Sequence, residues 1–240
     1  TEVLLRGYLL RGDSFFQYIN GMFSFAIYDV KKRKLLIFRD HTGQKPLFFF
    51  NDHNKFVFSS NLNSFKSLIK DLKLSSIAID AFLHLSYIPS PLSIYENVQK
   101  VKPGYMLEYD FNENLLNSKT IDHQRPNPDI DIIDLIKETS VSDFPVGISL
   151  SGGVDSSLIM SVLRKDISKA YNVFSESFHT KKLKNESVIA ERFAKECDVS
   201  FQRKRFEELS IGELDEHLKV YRRLTANTMP MTMMADLLNL

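Results

Sequence analysis

A chain of 240 residues, 43% hydrophobic and 25% charged, has the length for one large domain or two small ones. Its 31 basic and 30 acidic side chains leave a formal net charge of +1, which gives no electrostatic reason to expect nucleic acid or an anionic membrane as partner. The single cysteine, Cys197, excludes an internal disulfide, and no apolar run approaches the ~20 residues that span a bilayer.

The chain opens on Thr1-Glu2-Val3-Leu4-Leu5, without an initiator Met and with helical spacing from the first residues, so that Val3, Leu4, Tyr8 and Leu9 are expected on one face. A chain that begins inside a helix reads as cut. This start also lacks the basic-then-apolar pattern of a signal peptide, which makes the cytoplasm the default location. From Asn20-Gly21 the period changes to two. Strands are expected over 22–28 and 35–38, joined by the charged turn Lys31 to Lys34, and again over 47–50 and 56–58. Four short antiparallel strands in a row predict a layered sheet, interrupted by the irregular loop Arg39-Asp40-His41-Thr42-Gly43-Gln44-Lys45-Pro46.

Short helices are expected within 62–74 and over 79–85, loops around Pro89, Pro91 and Pro103-Gly104, and a further strand over 105–109. The stretch 112–131 is rich in Asn, Asp and Pro, including Pro126 and Pro128, and supplies the linker, placed at 116–128. It separates a first domain at 1–115 from a second at 129–240.

The second half repeats strand and helix: a helix over 130–139, a strand over 145–150, a glycine loop and a helix, a strand over 170–174, a helix over 186–197, a strand over 199–202 and a helix from Ser210 with Ile211, Leu214, Leu218 and Tyr221 on one face. Such a repeat builds a parallel sheet, whose ligands bind beyond the carboxyl ends of the strands. Cys197 falls in the helical pattern as a half-buried structural thiol. His41, His53, His84, His123, His179 and His217 show no metal-ligand spacing, so no structural zinc is expected.

The most informative stretch follows the strand at 145–150. Leu150 leads into Ser151-Gly152-Gly153-Val154-Asp155-Ser156-Ser157, after which Leu158, Ile159, Val162 and Leu163 take helical spacing. The first turn of a helix presents backbone N–H groups without intrahelical partners, and an anion, phosphate best of all, fits above them. Gly152 and Gly153 permit close backbone approach, and Ser151, Ser156 and Ser157 add hydroxyl donors. Asp155 would repel phosphates, so it either caps the helix or holds a Mg²⁺ that the phosphates share. A plain Gly-Gly turn with an N-cap needs no ligand, but the pattern S-G-G-x-D-S arises by chance in roughly one chain of this length in three thousand. The P-loop ending Gly-Lys-Ser and the dinucleotide G-x-G-x-x-G are both absent from it.

This loop resembles that of the ATP-pyrophosphate-releasing ligases. Further segments resemble the glutamine-hydrolysing asparagine synthetase family in matching order: Thr1 to Leu5, Ile19 to Phe23, and Arg39-Asp40 with Gly43 and Lys45-Pro46-Leu47. Tyr87 to Pro91, Lys102-Pro103-Gly104, Pro145-Val146-Gly147, Leu150 to Ser157, Phe174-Ser175, Phe178 and Glu186 to Ala190 extend the likeness. The resemblance implies two domains. The first is a class II amidotransferase part of α+β type, a layered antiparallel sheet partially like an Ntn hydrolase, and the second is an α/β, Rossmann-like parallel sheet of ATP-pyrophosphatase type.

The implied activity is ATP-dependent amidation: a carboxylate, L-aspartate for the family mean, forms an acyl-adenylate, pyrophosphate leaves, and glutamine-derived ammonia attacks. ATP and Mg²⁺ are the implied cofactors. Leu150, Ser151, Gly152, Gly153, Asp155, Ser156 and Ser157 are the implied pyrophosphate-binding residues, Asp155 the metal ligand, and Glu176 the adenine-side position. A small-molecule carboxylate and glutamine or ammonia are the implied partners, and a homodimer is compatible with the likeness. The family's N-terminal cysteine nucleophile and its glutamine-holding residues find no match here, so no catalytic residue is assigned and the chain reads as a slice lacking both ends.

Two departures leave alternatives open. The adenine-side position, apolar in the family, is Glu176, and Leu224-Thr225-Ala226-Asn227 to Thr232 carries no carboxylate where the family has an Asp-Glu-Pro stretch. A ligase with a sugar, peptide or β-lactam-type acceptor, or an inactive nucleotide-binding chain, fits these departures. Arg39 and Lys45 carry charges suited to catalysis, but a charged loop packing against the second domain is the preferred reading of them.

Overall fold

The computed structural model describes residues 1–52, 55–122, 130–164, 172–178 and 186–206. The expected helix from Ser210 and the segment around Thr225 lie outside these residues. Described residues fall into two compact units, one within Thr1–Gln124 and one within Arg125–Gly212. None of their helices is long and apolar enough to cross a membrane.

The first unit begins with helix α1 (Glu2–Arg11) and a 3-10 segment over Gly12–Tyr18. Strands β1 (Ser24–Asp29) and β2 (Lys34–Arg39) form the expected hairpin, and β3 (Phe48–Asp52) and β4 (Lys55–Ser59) form a second one. Helices α2 (Asn63–Leu68) and α3 (Ser76–Leu85) follow, then β5 (Val98–Lys100), β6 (Tyr105–Asp110) and β7 (Leu115–Thr120). Ser75 caps α3 by accepting the Ala78 N–H at 3.2 Å.

The four strands expected in one row are divided between two sheets. One has the order β1-β2-β6-β7 and the other β4-β3-β5, all neighbours antiparallel. The period-two alternation of β2 gives the reason. Leu36 and Phe38 join Tyr8, Phe16, Ile27 and Met106 under α1 and the 3-10 segment, whereas Ile37 packs with Leu47, Val101 and Leu107. Phe49 and Phe56 of the second sheet pack against that latter cluster, while Phe48, Phe50 and Val57 turn to Leu62, Phe65 and Val98. A strand apolar on both faces is satisfied only by a layer on each side, so two sheets stack instead of one extending.

Two expectations change here. On α1 the buried residues are Gly7 and Tyr8, whereas Val3 and Leu9 are 72% and 80% exposed. Gly7 sets this face, because a Cβ there would stand 2.2 Å from Phe15 Cε1. The stretch 116–128 expected as linker opens instead with strand residues as far as Thr120, because β7 pairs along the whole of β6 from Leu115↔Asp110 to Thr120↔Tyr105. Two Asn residues of the wider 112–131 stretch belong to the turn before β7, where Asn114 takes φ 53° and the Asn112 N–H donates to the Asp110 carboxylate at 2.8 Å.

The second unit carries α4 (Ile132–Thr139), β8 (Gly147–Ser149), α5 (Val154–Leu163), β9 (Asn172–Phe178), α6 (Ser187–Glu196) and β10 (Phe201–Phe206). Its sheet runs β10-β9-β8 with both pairs parallel, as the strand-helix repeat predicts. Strand β10 starts later than expected because α6 ends in a Schellman-type closure: Asp198 takes φ 54° and the Val199 N–H reaches back to the Ala194 carbonyl at 3.1 Å. Ile148, Leu150, Met160, Leu163, Val173, Ala190, Ala194 and Cys197 form the core of this unit, Cys197 being buried rather than half-buried.

Candidate nucleotide site

Strand β8 delivers the chain to the loop. Leu150 is fully buried and its N–H donates to the Phe174 carbonyl at 2.8 Å, carrying the β8–β9 ladder one residue past the strand. Its side chain is thereby committed to the core, and only its backbone faces the loop. Ser151 then turns outward, and its Oγ accepts the Gly153 N–H at 3.3 Å and lies 3.0 Å from Ser156 Oγ. Gly152 takes φ 83°, a left-handed conformation that favours glycine.

Helix α5 begins at once. Its N-cap is Gly153, in extended conformation and with no side-chain cap; the Ser157 N–H donates to the Gly153 carbonyl at 3.1 Å. The N–H groups of Val154, Asp155 and Ser156 therefore stand at the open end of the helix with the positive end of its dipole. Asp155 lies in this first turn, exposed, and among the described residues it makes no hydrogen bond and no ion pair. The capping role open to it from sequence is not the one it takes. A carboxylate left uncommitted beside free N–H groups suits a divalent cation shared with an anion.

A cavity of about 460 Å³ adjoins the loop, lined by Thr139, Ser140, Val146, Gly147, Ile148, Ser149, Ser151, Asp155, Ser156, Ile159 and Leu163. Sequence reasoning named the three polar loop residues among these and missed the walls. Ile159 and Leu163 follow Ser156 at i+3 and i+7, a spacing that places them below it on one face of α5. Glu176, expected beside an adenine, lies in β9 two residues beyond Phe174, the partner of Ser149, and opposite Lys204 of β10. That is the carboxyl side of the sheet, where the loop also sits.

Arg39 and Lys45 lie in the first unit and have separate roles. The Arg39 guanidinium donates to the carbonyls of Lys45 at 2.9 Å, Val101 at 2.8 Å and Gly43 at 2.5 Å, whereas the Lys45 side chain is exposed. Asp40 is fully buried and accepts from the Lys45 and Gln44 N–H groups, each at 2.9 Å, and from the Thr42 hydroxyl at 3.1 Å. Burial pushes its carboxyl upward, but these donors outweigh it and hold the group below the ordinary carboxylate range. The knot is structural: it spends its hydrogen bonds on its own backbone.

The glutamine amidotransferase domain family matches residues 1–119, and the asparagine synthase family matches residues 132–238. The chain belongs to the glutamine-hydrolysing asparagine synthetase family. A relative from Methanocaldococcus jannaschii, assigned by name to the same group, is 33% identical over 198 residues, covering 75% of this chain and 38% of that protein. Glutamine-hydrolysing asparagine synthetase 1 of Bacillus subtilis is 29% identical over 205 residues, 81% of this chain and 32% of its own. Asparagine synthetase B of Escherichia coli is 27% identical over 165 residues, 68% and 27% respectively. This family member thus spans well under half the length of these relatives. Among solved structures, B. subtilis glutamine phosphoribosylpyrophosphate amidotransferase aligns over 90% of this chain and 43% of its own at a TM-score of 0.36 and 16% identity, too loosely to inform the fold.

Proposed function

We propose that the protein is an ATP-dependent amide-forming ligase of the asparagine synthetase type, with the loop Ser151 to Ser157 as its pyrophosphate site. The observation that carries this reading is the uncapped start of α5, where Ser151 and Ser156 converge and three backbone N–H groups face outward above Asp155. In the proposed reaction a carboxylate oxygen of the acceptor attacks the α-phosphorus of ATP. The bond to the β-phosphate breaks, and the leaving pyrophosphate carries off the electron pair. Ammonia then attacks the acyl carbon and AMP departs.

The loop contributes where negative charge accumulates. N–H groups of Val154, Asp155 and Ser156 donate to the β- and γ-phosphate oxygens, and the Ser151 and Ser156 hydroxyls complete the cradle. Mg²⁺ held at Asp155 would neutralise further charge on the pyrophosphate. Glu176 takes the adenine-side position on family grounds, and a carboxylate at that position suits a hydroxyl or amine rather than an apolar wall. The first unit would act as a partial Ntn-type amidotransferase layer, with glutamine or ammonia as nitrogen source and a homodimer as the assembled state.

L-Aspartate is the leading acceptor on family grounds. The absence of carboxylates over 224–232 favours, as a second reading, another small carboxylate such as a sugar acid or a peptide. Exchange of labelled pyrophosphate into ATP, run with aspartate and a panel of carboxylic acids, tests both. Exchange with aspartate alone supports the first, exchange with another acid alone the second, and none with any acid overturns the ligase reading.

A further inference from the structure

The loop does not hold its shape unaided. Gly152 is pressed against the first turn of α6, thirty-odd residues away in sequence: a Cβ at position 152 would stand 3.0 Å from Ala190 N, 3.0 Å from Ile189 Cβ and 3.1 Å from the Glu186 carbonyl oxygen. That turn is itself closed, since the Glu186 carbonyl accepts the N–H groups of Ile189 at 2.9 Å and Ala190 at 3.0 Å. Ala190 is fully buried in the same core cluster as Leu150, the residue that leads into the loop. The backbone of Gly152 therefore has α6 behind it, and its left-handed conformation is the one in which Ser151 Oγ turns back to Gly153 N and Ser156 Oγ.

We propose that the first turn of α6 is the template of the pyrophosphate loop and that Ala190 is a positioning residue for it. This rests on the pyrophosphate reading above and extends it to an element outside the loop motif. Ala190 makes no contact with ligand. Its small side chain lets α6 approach until Gly152 is trapped, which fixes the direction of the Val154, Asp155 and Ser156 N–H groups. A larger residue at 190, fully buried in the cluster that contains Leu150, has to push its neighbours aside, since well-packed cores leave little spare volume. Displacement of the donors by about 1 Å is enough to cost about a hundredfold in a geometry-dependent interaction.

The test uses the full chain, inorganic pyrophosphate with Mg²⁺ as the probe, and calorimetric titration, with melting curves to verify folding. Gly152→Ala and Ala190→Val are expected to weaken pyrophosphate binding about a hundredfold. Ala190→Ser, nearly the same size, and Ile189→Ala, which keeps the contacting Cβ, are expected to leave affinity unchanged. A merely structural role would lower the melting temperature of Ala190→Val and leave the affinity of its folded fraction intact, which overturns the proposal. Should Ala190→Val fail to fold, Ala190→Cys, intermediate in volume, takes its place: unchanged affinity overturns the proposal and lost affinity supports it. Wild-type protein that binds no pyrophosphate overturns the site itself, an outcome distinct from wild-type binding matched by all variants, which overturns the positioning role only.

Discussion

Arg39 donates its guanidinium to the carbonyl of Val101 at 2.8 Å, joining the end of β2 to the segment between β5 and β6 across 62 positions of sequence. With its bonds to the exposed Lys45 carbonyl and the half-buried Gly43 carbonyl it closes the loop on itself. Replacing Arg39 with Met keeps the stem and removes the donors. The expected loss is about 3 kcal/mol of unfolding free energy, read from urea titration at neutral pH; a loss below about 0.5 kcal/mol would show that solvent satisfies these carbonyls.

Asp40 gives the first unit a pH dependence. Its carboxyl titrates below the ordinary carboxylate range in the folded chain, so it contributes stability that is present above about pH 4 and lost as pH falls through the folded value. Urea midpoints measured from about pH 6 down to about pH 3 should fall, and the fall should be shallower in Asp40→Asn. Identical slopes in the two proteins would place the dependence elsewhere.

Asp155 separates ligand binding from folding. It is exposed, caps nothing and pairs with nothing among the described residues, so Asp155→Asn should change stability by less than about 0.5 kcal/mol. Affinity for ATP with Mg²⁺ should drop about tenfold, equivalent to ~1.4 kcal/mol, with a smaller change when Mg²⁺ is withheld. Equal losses with and without Mg²⁺ would remove the metal role.

The strand-loop-helix at 147–163 was legible in sequence because its local signals agree: apolar alternation, two glycines, then helical spacing. The walls of the adjoining cavity were not, since Thr139 and Ser140 reach it through the path of the chain and not through any local pattern. The division of the first unit into two sheets was hidden for the same reason. Leu35 to Phe38 reads as one apolar run, and which side each residue faces depends on distant partners in β6, from Leu35↔Tyr109 to Phe38↔Met106. The linker was expected to begin too early, within β7, because Asn and Asp residues signal a tight turn as readily as a spacer, and here Asn112 and Asn114 lie in the turn.

The two-sided burial of β2 also leaves that strand without an ordinary safeguard. In a strand with one wet face, slipping by one residue exposes every apolar side chain, and hydrophobicity alone forbids it. Leu35, Leu36, Ile37 and Phe38 could exchange faces and remain buried. What makes the slip costly is at the ends: Lys34 Nζ bonds Glu108 at 2.7 Å and lies 3.4 Å from Asp110, and Asp40 enters its knot with Gln44 and Lys45. Here polar groups, not the core, carry the information that tells this strand where to stop.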